Sequence, residues 1–224
     1  MSVKILNVST IGQHQQLAQL LNDEIVLYSK QHIDIVQLTD TCVGSFQTIG
    51  FFNSCVSKIN SIIAALNSLG DYEYLIYLDS DICVCNDIVS IMIDELEHYD
   101  AAFQQDSPNA LCGGMFICRK NQKTLTFFQN ILDSLLKDQE YYQNKECDQT
   151  ALNEQLLSGT LDYKVLSARF TTYGNICEGL WDSSCAEFEL PHNLVAFHAN
   201  FTVGIENKKE LLRRVRHKIS CVQS

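Results

Sequence analysis

The chain has 224 residues, 46% hydrophobic and 19% charged, with a net charge of −11. This length suits one α/β domain with a sizeable core, and the composition excludes disorder as the default state. The acidic balance argues against nucleic acid as a partner, because phosphate contacts need a basic face, whereas a small anionic substrate is compatible if a bound metal supplies positive charge locally.

The apolar run at Met1 to Val8 is too short for a signal peptide and lacks a cleavage pattern, and no window reaches the roughly 18 apolar residues of a transmembrane helix. Ten cysteines occur without a CxxC pair. They read as packed, reduced thiols, which places the protein in the cytoplasm.

Val3 to Ser9 reads as a first strand buried on both faces, and Thr10-Ile11-Gly12 as the turn out of it. Leu17, Leu20, Leu21, Ile25 and Tyr28 recur at helical spacing, and Ile33 to Leu38 forms a second strand ending at Thr39-Asp40. A β-α-β opening implies a right-handed crossover and a parallel sheet, with ligands at the C-terminal strand ends. Residues 41 to 53 read as a loop. The next helix sets Ile59, Ile62, Ile63, Leu66 and Leu69 on one face, stops at Gly70, and carries Lys58 near its start.

The stretch Tyr74-Leu75-Ile76-Tyr77-Leu78-Asp79-Ser80-Asp81-Ile82-Cys83-Val84 dominates the chain. It reads as a buried strand delivering two acids into a crevice. In extended backbone Asp79 and Asp81 share a side and Ser80 points away. Two such charges beside an apolar core call for a cation, most simply a hard divalent metal.

Ile88, Ile91, Met92 and Leu96 mark another helix, and Ala101 to Gln104 a short strand. Pro108 to Cys118 is a loop running into a strand, with Gly113 and Gly114 permitting close backbone approach to a ligand. Leu125, Phe128, Leu132 and Leu135 face inward from a further helix, and Asp148 to Leu157 forms one more, led by Glu146-Cys147-Asp148-Gln149. Residues 158 to 194 are irregular and hold Trp181, a core or lid residue. Val195 to His198 closes the sheet, and Leu211, Leu212 and Val215 are the packed side of a basic C-terminal helix. Nothing marks a domain boundary. The reading is a single domain over 1–224, with a nucleotide-binding part to about residue 85 and an acceptor- and metal-completing part over 86–224.

The order of landmarks YLIYLDSDICV, LCGGMFICRKN, ECDQTALN and FHANFTVGIENK resembles GT-A-type glycosyltransferases of the nucleotide-diphospho-sugar transferase family, across nearly the whole chain. The resemblance implies a GT-A-like α/β fold with a mostly parallel central sheet flanked by helices. It implies transfer of a sugar from a nucleotide-diphosphate donor, UDP favoured, to a hydroxyl acceptor such as a glycan. It also implies Mn²⁺, or Mg²⁺ in its place, held by Asp79, Asp81 and His198, with Asp79 also touching the ribose or metal-bound water. Gly204 and Lys208 fall on the family's diphosphate contacts, Thr10 and Asp40 on its nucleoside contacts, and Gly113 and Gly114 on the donor-sugar floor. Lys58 has two readings, a reach toward phosphate or ribose and a solvated surface cation. Asp148 is the candidate base toward the acceptor if the enzyme inverts, with Glu146 second; its other reading is a helix cap.

Competing readings are a haloacid-dehalogenase-like phosphatase, which also places DxD at a strand end, and a domain that binds sugar nucleotides without turnover. The phosphatase motif sits near the N-terminus and has Thr or Val where Cys83 stands here. A nucleotidyltransferase would need a glycine- and arginine-rich signature after Val8, and none is present.

Overall fold

The structure is a computed structural model, and it describes residues 2–68, 70–177 and 179–223. In chain order the elements are β1 (Val3–Ser9), α1 (Gln13–Ser29), β2 (Ile33–Gln37), α2 (Ile49–Asn67), β3 (Tyr74–Leu78) and β4 (Ile82–Val84). Then come α3 (Ile88–Leu96), β5 (Ala101–Ser107), β6 (Ala110–Arg119), α4 (Gln122–Lys137), α5 (Gln139–Gln143) and α6 (Asp148–Leu157). The last third holds β7 (Tyr163–Val165), β8 (Phe170–Thr172), α7 (Tyr173–Ile176), β9 (Ala196–His198) and α8 (Ile205–Gln223).

Six strands form the central sheet in the order β2-β1-β3-β6-β5-β7. Only β6 runs against its neighbours, pairing antiparallel with both β3 and β5. The other pairings are parallel, so the sheet is mostly parallel with one reversed strand in its middle.

Strand β3 is buried along its length, and its pleat divides the core. Leu75 and Tyr77 join α2, α4 and α6 on one face, while Tyr74, Ile76 and Leu78 face α3 and the inner side of α1 on the other. Within α1, Leu17, Leu21 and Ile25 are buried, but Leu20 is 46% exposed and lies off the packed stripe.

The run from Tyr74 to Val84 is not one strand. It breaks at Asp79-Ser80-Asp81, which turns the chain out of the central sheet, and β4 starts a second sheet of order β4-β9-β8. The break has a cause on β1. Asn7, fully buried, donates from Nδ2 to the Leu78 carbonyl (2.7 Å), a backbone group that would otherwise continue the ladder, and to Ser80 Oγ (3.2 Å) in the turn. In the second sheet Ile82 lies opposite His198. Behind it Cys83, Trp181, Phe197, Leu211, Leu212 and Val215 form a third apolar cluster.

Helix α2 begins at Ile49, inside the stretch that reads as loop. Thr48 caps it, its Oγ1 accepting from Phe51 N–H. Gly50 is a close-packing residue here: a Cβ would lie 2.1 Å from the Val43 carbonyl oxygen. Lys58 therefore sits mid-helix. Leu69, expected on the apolar face of this helix, falls outside the described residues. By length and mean hydropathy (1.3), α2 is a helix that could span a membrane, contrary to the expectation that no stretch is long and apolar enough, but here it packs against α4 and the sheet as a core element.

Hairpin residues Pro108 and Asn109 join β5 to β6, so the loop is short and Gly113 and Gly114 lie within the strand that follows it. Residues 158–194 contain β7, β8 and α7, elements too short for sequence periodicity to register.

Candidate active site

The C-terminal ends of β1 and β3, the start of α8 and the middle of β6 surround a cleft of about 850 Å³. Its floor is charged. Asp79, Asp81 and His198 each present one ligand atom, all within 4.8 Å of one another. His198 Nε2 lies 3.3 Å from Asp81 and 3.9 Å from Asp79. Gly114 makes this approach possible: a Cβ there would lie 2.3 Å from Asp79 Oδ2 and 2.6 Å from His198 Cε1. The Asp79 amide also donates to the Gly114 carbonyl (2.7 Å), tying the acidic turn to β6.

Two lysines neutralise the carboxylates. Lys208, in the first turn of α8, reaches Asp81 Oδ2 at 2.5 Å. Gly204 precedes that helix at φ +85°, a conformation that favours glycine. Lys58 lies 2.8 Å from Asp148 and 3.5 Å from Asp79, its ammonium 4.8 Å from the centre of the Tyr77 ring. The Tyr77 hydroxyl donates to Asp79 Oδ1 at 2.8 Å. The solvated-cation reading of Lys58 is therefore wrong: the side chain is only 12% exposed.

Charges so buried shift one another. Burial would raise the Asp81 carboxyl, but Lys208 and His198 beside it hold it well below the usual range. Burial opposes the charge on His198, yet Asp81 pushes it up to about 10. For Lys58, burial is outweighed by Asp148 and Asp79, and the ammonium is held charged.

Thr10 lines the cleft at the end of β1, and Gly113 and Gly114 line it from β6. Asp148 and Glu146 line the side led by α6. Asp148 makes no capping bond, for the N-cap of α6 is Cys147 without a side-chain partner. Asp40 stands apart, exposed at the head of a 3₁₀ turn (Asp40–Cys42) and outside the cleft-lining residues. Gly204 lies between the lining residues Val203 and Ile205. Trp181 is 1% exposed and bridges to Thr202, so it offers no face to a sugar.

Sequence reasoning missed three groups here. Asp106 lines the cleft and accepts from Gln149 Nε2 (3.1 Å) and from Asn200 Nδ2; burial raises its carboxyl above the ordinary value. Cys112 Sγ lies 3.6 Å from His198 Nδ1. Gln104, fully buried, places Oε1 3.0 Å from the same nitrogen. The signal available was polar: Gln104-Gln105-Asp106 prolongs an otherwise apolar strand.

Residues 33–212 match the family model described as nucleotide-diphospho-sugar transferase. The chain belongs to that family. Among solved structures, a glycosyltransferase involved in the glycosylation of the major capsid of PBCV-1 superposes with TM-score 0.67 at 11% identity, covering 96% of this chain and 100% of that one. The glycosyltransferase GlyE of Streptococcus pneumoniae TIGR4 gives TM-score 0.51 at 14% identity, over 75% of this chain and 45% of that one. A search of curated proteins found no match. The fold is GT-A-like, and membership of the family displaces the phosphatase reading.

Proposed function

We propose that the protein is a metal-dependent glycosyltransferase that moves a sugar from a nucleotide-diphosphate donor, UDP favoured, to a glycan hydroxyl. The observation that carries this reading is the meeting of Asp79, Asp81 and His198 on the floor of a cleft with Lys208 at its side. Two carboxylates and an imidazole, with no thiolate among them, form a donor set that suits Mn²⁺ or Mg²⁺. Held by Asp79, Asp81 and His198, such an ion would supply Lewis-acid stabilisation of the leaving diphosphate.

The remaining work falls to the chain. Rupture of the bond between anomeric carbon and diphosphate leaves negative charge on phosphate oxygens, and Lys208 supplies a fixed positive charge to receive it. The positive φ of Gly204 turns the chain so that the first turn of α8 faces the cleft. Thr10 and Asp40 are assigned to the nucleoside, although Asp40 must act from outside the cleft wall. Gly113 and Gly114 floor the sugar pocket with backbone alone. Lys58 bridges Asp148 and Asp79 and offsets their mutual repulsion beside the sugar pocket. Asp148, fixed by that ion pair, is assigned as base toward the acceptor hydroxyl in an inverting reaction. Seven buried cysteines outside any disulfide support a reducing, cytoplasmic setting.

Calorimetric titration of UDP- and GDP-sugars with and without Mn²⁺ tests the reading, alongside Asp81→Ala. Expected are Mn²⁺-dependent donor binding and slow donor hydrolysis in the wild type, both lost in a folded Asp81→Ala variant. Full activity in that variant overturns the metal assignment. Binding without any hydrolysis or transfer favours a sugar-nucleotide-binding domain.

A further inference from the structure

His198 carries two nitrogens, and which one keeps a hydrogen decides whether the other can serve a cation. The surroundings of Gln104 answer this. Its Nε2 lies 3.1 Å from the backbone carbonyl of Thr171, a group that can only accept, so the amide nitrogen must face β8. Its Oε1 then faces His198 Nδ1 at 3.0 Å. That oxygen can only accept, so Nδ1 must donate. The other neighbour of Nδ1, Cys112 Sγ, is farther away at 3.6 Å and already accepts from the Gly114 amide at 3.3 Å. Nε2 is left as the nitrogen facing Asp81 and Asp79.

We propose that Gln104 is the positioning residue of this centre: through the chain Thr171 carbonyl, Gln104 amide, His198 imidazole, it holds the ring in the Nδ1–H form and aims Nε2 at the cation site. All three residues are almost fully buried, at 4%, 0% and 2% exposure, so water does not compete for these bonds. The geometry also explains why a polar side chain lies in the buried part of β5. A primary amide matches the site because it donates to a carbonyl on one side and accepts from an imidazole on the other. Hydrogen-bond partners of this kind orient metal-ligating histidines generally, and their loss costs about 10- to 100-fold in metal affinity.

The inference rests on the metal reading of Asp79, Asp81 and His198, and the test separates the two. Mn²⁺ affinity is measured from the electron paramagnetic resonance signal of free Mn²⁺ for wild type, Gln104→Leu and Gln104→Glu. The Leu variant loses the acceptor and is expected to bind Mn²⁺ about 10- to 100-fold more weakly. The Glu variant keeps an acceptor oxygen but gives up the donation to Thr171, and is expected to recover most of that loss. A residue that merely bridged β5 to β8 would make Glu as damaging as Leu. Nitrogen-15 spectra of histidine-labelled, Mg²⁺-loaded wild type, assigned by comparison with His198→Gln, should show the proton on Nδ1 of His198. Equal Mn²⁺ affinity in the Leu variant and wild type, Glu as weak as Leu, or a bare Nδ1 overturns the role of Gln104 alone. A wild type that binds no Mn²⁺ overturns the metal reading itself. If the Leu variant fails to fold, the Glu variant and the wild-type spectrum decide.

Discussion

Lys58 and Asp148, 90 positions apart, form an ion pair of 2.8 Å with 12% and 11% of their side chains exposed. One comes from the middle of α2 and the other from the first residue of α6, so the pair clamps two helices across the cleft floor. Removing one partner of such a pair leaves a buried, unpaired charge. Lys58→Ala should lower stability by about 3 kcal/mol, and the double variant with Asp148→Asn should lose less than the two single losses added together. Urea denaturation of the four proteins of the cycle measures this. Additive losses would mean that the two groups do not interact.

Asp148→Asn keeps the shape of the side chain and removes its basicity. Transfer should fall by at least about 100-fold with donor affinity little changed, if the carboxylate serves as base. Single-turnover rates and donor titrations give both numbers. Unchanged transfer would leave Asp148 a partner of Lys58 and nothing more.

The two adjacent glycines of β6 should differ sharply. Gly114→Ala puts a methyl 2.3 Å from Asp79 and 2.6 Å from His198, whereas Gly113→Ala meets Asp148 at 3.3 Å, a contact that a small shift relieves. Mn²⁺ binding should drop by more than tenfold in the first variant and by less than threefold in the second, given the sensitivity of metal sites to ligand placement. Equal effects would show that the close approach of β6 does not shape the ligand set.

Lys208→Ala should weaken binding of a nucleoside diphosphate by about 10-fold or more, because a charge-assisted hydrogen bond contributes about 1.5–3 kcal/mol. Binding of the free nucleoside should barely move. Comparable losses for both ligands, read by calorimetry, would count against contact with the diphosphate.

Asp106 gives a pH dependence with a definite sign. Burial raises its carboxyl above the ordinary value near 3.8. A raised acid favours the folded state while protonated, and that contribution is lost as pH rises through the folded value. Asp106→Asn should therefore be more stable than wild type at neutral pH, with the difference vanishing below about pH 4. Asn200 can flip its amide to suit the new side chain, since its Oδ1 has no partner. Thermal melts from pH 3 to 8 decide; a wild type more stable at pH 7 would reverse the sign.

Much of this was legible beforehand, for reasons that the strands make plain. Apolar runs ending in polar residues gave β1, β2 and β3, and the spacing of Ile88, Ile91, Met92 and Leu96 gave α3 within its bounds. The convergence of Asp79 and Asp81 was anticipated on an extended backbone, yet it arises from a turn enforced by Asn7, a tertiary contact invisible to local pattern. The start of α2 was hidden because Gly50 looks like a breaker when read alone; only Val43, packed against it, shows why glycine is there. The polar run Gln104-Gln105-Asp106 stood out locally, but its purpose did not, for the partners of Gln104 and Asp106 lie 43 to 94 positions away.

The pairing of β4 with β9 also bears on how the site comes into being during synthesis. Asp81 adjoins one of these strands and His198 ends the other, so a nascent chain that has emerged only through its acidic turn displays two carboxylates and lacks the imidazole. Lys208 follows later still, in the last helix. The centre is therefore assembled only after the chain has emerged through Lys208, and products truncated between Asp81 and His198 carry the acidic half without the groups that neutralise it.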